Sequence, residues 1–465
     1  MPSSEPLSHA LDYADRWLAY RSWRLRLPGV QVAVRIDGEL VLDAAHGVAD
    51  ASTGEPLTTA HRFRIASHSK SLAAIATMRL VDAGRLRLDD DAQQHVPALR
   101  GTDVGAVTVR ELLSHGGGTV RDGDDVGFWQ LEGDFPNRER LLAIARAGAL
   151  RIPASTAFKY SNIGFGLLGL VVEAVTGAAY ADAIDELLVA PLGLTATSAD
   201  VDGRGPLAAG HSALHSDTER TVLGSPSAGA LAAATGAVAT AADLTDVLRV
   251  VADADDRLLQ PSTRRRMRQQ QWSTTGRDGA AAGYGLGIML RDIDGRSWAG
   301  HGGAWTGQST RTLVDPERDV VVSVLTNAID GGAEELAIGV ARIVDTALDA
   351  ASDTAADAAA DGPADAVALA RSFEGSFASI WGRTDVVELG GRLLAISPTA
   401  ADPLHAVDVL TPEADDRVRI AAATGMGSGH ELAIAERDAD GRVVRWRGAW
   451  HLDAVAPVPD SGRRG

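Results

Sequence analysis

Ser67-His68-Ser69-Lys70 sets a hydroxyl and an amine three residues apart. At a helix start, residues at this spacing share a face, so the amine lies beside the hydroxyl. A serine hydroxyl is a weak nucleophile and needs a nearby base. A lysine can be that base once burial or a neighbouring cation lowers its pKa. The first turn of a helix also offers free backbone N–H groups, which stabilise an oxyanion. The same residues can be read as a plain N-cap followed by a surface lysine. Lysine usage bears on the choice. Of 44 basic residues only Lys70 and Lys159 are lysines, and lysine, unlike arginine, can lose its proton inside a protein.

Two further groups could join them. Tyr160-Ser161-Asn162 follows an Ile-Pro-Ala loop and precedes an apolar helix. Its phenol could relay a proton and its amide could hold a substrate carbonyl. A buried tyrosine with a helix-capping asparagine is the plainer reading. His301-Gly302-Gly303 closes a strand pattern. Two glycines let a substrate backbone approach an edge strand, and the imidazole can bind a carboxylate or move a proton. An ordinary turn with a surface histidine is the alternative.

Other candidates carry less. His211 and His215 have the i, i+4 spacing of zinc ligands, but Gly210 and polar surroundings point to loop or strand, where both rings would not share a face. His68 and Ser69 turn away from the serine on a helix, and His115 reads as a loop-packing residue. Trp305 either lines a pocket or packs. Arg264, Arg265 and Arg266 read as a solvated helix end.

The elements that must position these groups follow from periodicity. Residues 6–22 read as an amphipathic helix. Val30, Val32, Val34 and Ile36 alternate as a half-buried strand, and Asp37-Gly38 turns it back. Phe63–Ala66 leads into a helix from Ser67 that stops near Gly84. Residues 107–250 are mainly helical, with 164–177 strongly apolar. Strands return at Tyr284–Arg291, Arg296–Gly303, Ser309–Val314 and Asp319–Thr326, followed by a helix at 331–348. Strands at both ends with helices between predict one antiparallel sheet with an inserted helical subdomain. Thus 1–350 form the first domain. The Ala/Asp-rich stretch 351–366 reads as a linker. Residues 367–465 form a small all-β sandwich or barrel, with hairpins at Gly390-Gly391 and Asp440-Gly441.

The chain has 465 residues, 45% apolar, with a formal net charge of −18. Such an anion repels phosphate backbones and anionic lipid, so neither nucleic acid nor membrane is expected as a partner. The absence of cysteine excludes disulfides, Cys-ligated zinc, iron–sulfur clusters and a thiol nucleophile. No cofactor or metal is expected. The N-terminal stretch lacks a basic region followed by an apolar run, which predicts a cytoplasmic location.

Taken together, S-x-x-K, Y-x-N and H-x-G in this order resemble the signature of the serine β-lactamase and penicillin-binding-protein superfamily. The likeness spans roughly 20–350 and includes FRIASHSKSLAA, VRELLSHGGG, YSNIGFGLLG, GYGLG and VVVSVLTN. It implies an α/β sandwich and an acyl-serine mechanism. By position it makes Ser67 the nucleophile, Lys70 its base or proton partner, Tyr160 a second proton relay and Asn162 a substrate ligand. His301 stands where secreted class C β-lactamases have lysine, and the N–H groups of Ser67 and Ala304 would hold the oxyanion. The third motif reads His-Gly-Gly rather than Lys-Thr-Gly, and Ala304 replaces a common hydroxyl residue, so efficient β-lactam hydrolysis is not expected. The His-Gly-Gly form and an appended lipocalin-like barrel look most like D-aminopeptidases, which carry two barrels where this chain has room for one. The expectation is a hydrolase cleaving an amide or peptide bond of a small molecule or short peptide. Carboxylesterase action or a non-catalytic binding role on the same fold are the alternatives, and a homo-oligomer is left open.

Overall fold

The structure is a computed structural model that describes residues 5–214, 219–276, 279–356, 364–422 and 428–456. The chain divides into two compact units, Leu27–Glu334 on one side and Met1–Arg26 with Glu335–Gly465 on the other.

The unit Leu27–Glu334 is built on a nine-stranded antiparallel sheet. Its strands are β1 (Gly29–Ile36), β2 (Glu39–Asp50) and β3 (Glu55–Pro56) from the first part of the chain. From the last part come β6 (Trp272–Thr275), β7 (Ala281–Tyr284), β8 (Met289–Ile293), β9 (Arg296–Trp305), β10 (Gln308–Asp315) and β11 (Val320–Thr326). The spatial order is β3-β2-β1-β11-β10-β9-β8-β7-β6, so β1 pairs directly with β11, Val32 opposite Val324. This is the expected sheet assembled from both ends, with helices from the intervening segment completing the sandwich. Two short strands, β4 (Phe63–Arg64) and β5 (Val238–Ala239), pair apart from it.

Strand β1 is buried on both faces rather than half-buried. Gln31 and Ala33 are as inaccessible as Val30, Val32 and Val34, because β1 lies inside the sheet and packs against helix α4 (Ala241–Arg249). Gln31 is tolerated there because its amide donates to the carbonyls of Thr58 and His61 and accepts from the Ala241 N–H.

The expected strand 284–291 is interrupted. A turn closed by Gly285 N–H to Ile288 O separates β7 from β8, and Ser71 Oγ donates to the Gly287 carbonyl. Gly287 has φ +69°, and a Cβ there would lie 2.3 Å from the Ala74 Cβ. Only glycine fits that approach of turn to helix. The interruption has a consequence: β8 covers β9 only from Arg296 to Gly300, so residues 301–305 keep one edge free of β8.

Helix α2 (His68–Asp82) and helix α3 (Asn162–Thr176) carry the inserted helical part. Ile163–Val172 of α3 are all buried in the core shared with α2. No single described helix is long and apolar enough to cross a membrane; the bent pair Asn162–Thr176 and Tyr180–Leu192 passes only when joined.

The other unit contains helix α1 (Glu5–Arg24), helix α5 (Ala333–Ala356), most of which lies in this unit, helix α6 (Ala364–Arg371) and a closed eight-stranded barrel. The barrel strands are β12 (Gly375–Ser379), β13 (Gly382–Leu389), β14 (Arg392–Ile396), β15 (Asp408–Ala414), β16 (Arg417–Ala422), β17 (Leu432–Arg437), β18 (Val443–Gly448) and β19 (Leu452–Ala454). Hairpins turn at Gly390-Gly391 and Asp440-Gly441 as expected. Closure through Phe377 opposite Ala454 leaves the strand ladder without an open edge. Phe373, Phe377 and Trp446 fill the barrel, with ring centroids 5.8 and 5.9 Å apart. Within the stretch 351–366, α5 runs to Ala356 and α6 begins at Ala364, while 357–363 lie outside the described residues.

Candidate active site

The site begins with the turn that presents Ser67. Ala66 sits at φ +47°, a left-handed conformation unusual for a residue with a Cβ. It is held there by its neighbours. The Ala66 carbonyl accepts from the Ser69 N–H at 2.9 Å and from Ser69 Oγ at 2.6 Å. Ser69 Oγ in turn accepts from the Ala237 N–H. Ile65 N–H donates to the Ala237 carbonyl, anchoring the approach to the turn. Ser67 is the N-cap of α2 and its side chain makes no cap hydrogen bond, so the hydroxyl is available for other work.

Lys70, one turn on, is completely buried. Its Nζ lies 3.2 Å from Ser67 Oγ, 2.7 Å from Asn162 Oδ1 and 2.8 Å from the Ala234 carbonyl. The Ala234 carbonyl is offered by a wide π-type turn, 232–236. Burial holds the amine well below the usual lysine range; Asp122 opposes this and Arg121 adds to it. Tyr160 Oη donates to Ser67 Oγ at 2.8 Å, and burial pushes its phenol up, against the hydrogen bond to Ser67. Tyr160 is therefore a neutral donor. The Lys70 amine lies 4.6 Å from the Tyr160 ring centre and 5.6 Å from that of Phe165.

One proton arrangement satisfies every partner when the amine is neutral. A neutral Lys70 has two hydrogens, which satisfy Asn162 Oδ1 and the Ala234 carbonyl, and one lone pair, which faces Ser67. In that form Ser67 Oγ donates to Lys70 and accepts from Tyr160; with the amine charged, Lys70 Nζ donates to Ser67 Oγ.

Asn162 opens α3. Ser161 caps that helix through Gly164 N–H, and the Arg121 carbonyl accepts from the N–H groups of Asn162 and Ile163. The Asn162 amide is nearly inaccessible and bridges Lys70 to Asp122, with Nδ2 2.6 Å from Asp122 Oδ1. It was expected to hold a substrate carbonyl; the structure places it between these two side chains.

His301 is also fully buried. Its Nδ1–H donates to the Gly302 carbonyl at 2.7 Å and its Nε2 accepts from Tyr284 Oη at 3.2 Å. Burial, then His68 and Lys70, hold it well below the usual histidine range, so the ring is neutral with both nitrogens engaged. Gly303 brings β9 against the serine turn: a Cβ there would lie 2.2 Å from the Ile65 carbonyl. At Gly302 the nearest atom is 3.4 Å away, which is ordinary contact. Ala304 is exposed. Its backbone points to the same strand edge as that of Gly302, two residues earlier.

Several residues of the site carried no chemical signal in the sequence. His115, read as a packing residue, lies 4.2 Å from the Tyr160 ring and 4.8 Å from that of Tyr284. Its Nδ1 accepts from the Ser161 N–H. Asp122 and the Ala234 carbonyl were not singled out at all, and Phe165 and Tyr284 entered only within the stretches YSNIGFGLLG and GYGLG, with no role. A backbone carbonyl has no sequence signature, and the others stand at no motif spacing.

The remaining candidates fall outside the site. His68 is buried, donating from Nδ1 to the Ile65 carbonyl and accepting at Nε2 from Thr312. Trp305 packs, stacked on Phe135 with the Arg64 guanidinium 3.7 Å over its ring. His211 spends both nitrogens, one on the Asn327 carbonyl and one on the Ala51 N–H; His215 lies outside the described residues. Arg265 and Arg266 are exposed. Arg264 is instead buried, because its guanidinium donates to the carbonyls of Leu259 and Asp253.

Comparison with known proteins gives the family. The profile described as Beta-lactamase matches residues 14–344. Penicillin-binding protein 4 of Amycolatopsis lactamdurans is 33% identical over 340 residues, 69% of this chain and 86% of that protein. The chain belongs to the beta-lactamase family. Esterase EstB of Burkholderia gladioli is 34% identical over 191 residues, 36% of this beta-lactamase-family chain and 46% of the esterase. Among solved structures, SurE is 26% identical with a TM-score of 0.62, covering 96% of this chain and 99% of SurE. SurE has also been solved with D-Leu, with a TM-score of 0.59 to this chain.

Proposed function

We propose that this protein is a serine hydrolase that cleaves an amide or peptide bond through an acyl intermediate on Ser67. The observation that carries the proposal is the placement of Ser67 Oγ between Lys70 Nζ at 3.2 Å and Tyr160 Oη at 2.8 Å. In this reading Lys70 takes the Ser67 proton as Oγ attacks the substrate carbonyl carbon, and the carbonyl π electrons move to oxygen. The N–H groups of Ser67 and Ala304 hold that oxyanion. When the C–N bond breaks, the leaving nitrogen keeps the electron pair and receives a proton through Tyr160, which Lys70 replenishes. Water then attacks the acyl-serine by the reverse route.

The third motif bears on the substrate. His301 is neutral, buried and engaged at both nitrogens, so it offers no cation to a carboxylate beside the scissile bond. This favours a neutral amide over a β-lactam. Similarity to SurE, solved with D-Leu, favours a D-configured residue on the acyl side, as in a D-aminopeptidase or D-amidase. The esterase relative supports a second reading, carboxylester cleavage by the same groups.

The test is a panel of D- and L-aminoacyl p-nitroanilides and p-nitrophenyl esters with wild type and Ser67→Ala. D-Anilide turnover and an acyl adduct on Ser67 are expected, with both lost in the variant. Turnover of esters alone would favour the second reading. Full activity of Ser67→Ala, or an adduct elsewhere, would overturn both.

A further inference from the structure

We propose that Asp122 is a positioning residue of this site: its carboxylate holds the Asn162 amide with the carbonyl turned to Lys70, and it supplies negative charge beside the ammonium formed when Lys70 takes the serine proton. The proposal rests on the assignment of Ser67 and Lys70 above.

The first half follows from donor and acceptor chemistry. An amide side chain fits its slot either way round, so its partners decide the orientation. A carboxylate only accepts. Asp122 Oδ1 at 2.6 Å therefore takes the Asn162 Nδ2–H and forces Oδ1 toward Lys70, at 2.7 Å. In the flipped orientation the amide carbonyl would face the carboxylate, and the NH2 would face the amine. The Lys70 lone pair would then be drawn to the amide hydrogen and away from Ser67. Asp122 thus keeps that lone pair aimed at the hydroxyl without touching the serine itself.

The second half follows from charge. The groups that act on or face Lys70 are Asp122, Arg121, Tyr160, His115 and His301. Burial keeps the two imidazoles and the phenol neutral. Arg121 opposes the ammonium, but its side chain is 67% exposed, against 9% for Asp122, with Nε 3.1 Å from Asp122 Oδ2. Solvent screens the cation more than the anion. Asp122 is also tied to the chain next to the helix start, since the Arg121 carbonyl is clamped by the Asn162 and Ile163 amides.

The experiment is the rate of Ser67 labelling by a fluorophosphonate against pH, on full-length Asp122→Asn, Asp122→Ala and Arg121→Gln. Asparagine keeps an acceptor for Asn162 Nδ2 and removes the charge. Its acid limb should move to lower pH, with a plateau about tenfold lower as Lys70 becomes the weaker base. Alanine also frees the amide to flip and should lower the plateau by about a hundredfold or more. Arg121→Gln changes an exposed side chain and should move the acid limb the other way, to higher pH. This second arm stands even if the buried substitutions do not fold. No shift in either Asp122→Asn or Arg121→Gln, or shifts in the same direction, would overturn the role of Asp122. Ser67→Ala separates the two readings. If it still labels, the assignment of Ser67 fails; if it does not while the limbs stay put, only Asp122 fails.

Discussion

Lys70→Arg tests the chemistry most directly. Arginine brings a fixed positive charge and can still donate to Asn162 Oδ1 and the Ala234 carbonyl. Those two buried acceptors lie 2.7 and 2.8 Å from the present amine, and leaving them bare costs about 1–3 kcal/mol each. Lys70→Met would incur that cost; arginine keeps both acceptors paired, and a thermal melt reads the cost of burying its fixed charge. The rings of Tyr160 and Phe165, 4.6 and 5.6 Å from the amine, also accept a guanidinium. What arginine lacks is a neutral form. It can hold Ser67 by a hydrogen bond but cannot take its proton. Loss of a positioned base lowers the rate about 10²- to 10⁴-fold, or about 2.7–5.5 kcal/mol of barrier. The assay is single-turnover acylation by a p-nitrophenyl ester followed by stopped flow against pH, with a thermal melt to show that the variant is folded. Acylation within about tenfold of wild type, about 1.4 kcal/mol, would refute Lys70 as the obligatory base. The role would pass to Tyr160, whose phenol burial pushes up, and the acid limb would then lie far into the alkaline range.

Gly303→Ala should lower both turnover and melting temperature, because the new Cβ would meet the Ile65 carbonyl at 2.2 Å and Thr310 Oγ1 at 2.6 Å and push β9 off the serine turn. Gly302→Ala, with 3.4 Å to its nearest neighbour, should leave the melting temperature nearly unchanged; equal losses of stability at the two positions would contradict the packing argument. Stability should fall in acid. Burial pushes His68 down to about 3 from its ordinary 6.5, so between those values the unfolded chain binds a proton that the folded chain refuses. Stability from this group is therefore lost as pH drops through that window, by about 2 kcal/mol between pH 7.5 and 5. Urea unfolding at pH 7.5 and pH 5 should show that loss, and His68→Gln should reduce it.

Much of the architecture was legible because it is local. The alternation at 30–36, the turn at Asp37-Gly38 and the hairpins at Gly390-Gly391 and Asp440-Gly441 are written in adjacent residues, and periodicity reports such features directly. Ser67 with Lys70 was legible for the same reason, since one helical turn joins them. The burial of Gln31 and the break at 285–288 were not, because both depend on what packs against the strand. Nor was the protonation logic of the site. Lys70 is held by Asn162, 92 residues away, and by the Ala234 carbonyl, 164 residues away. Asp122 comes from a third loop, and the identity of a lysine gives no hint of which of these will face it. Adjacent residues set which functional groups are present and which pairs lie within one turn of each other. Their charge states and hydrogen-bond directions come from the folded packing. Those depend on burial and on partners brought together across the chain, and neither has a period that a sequence can display.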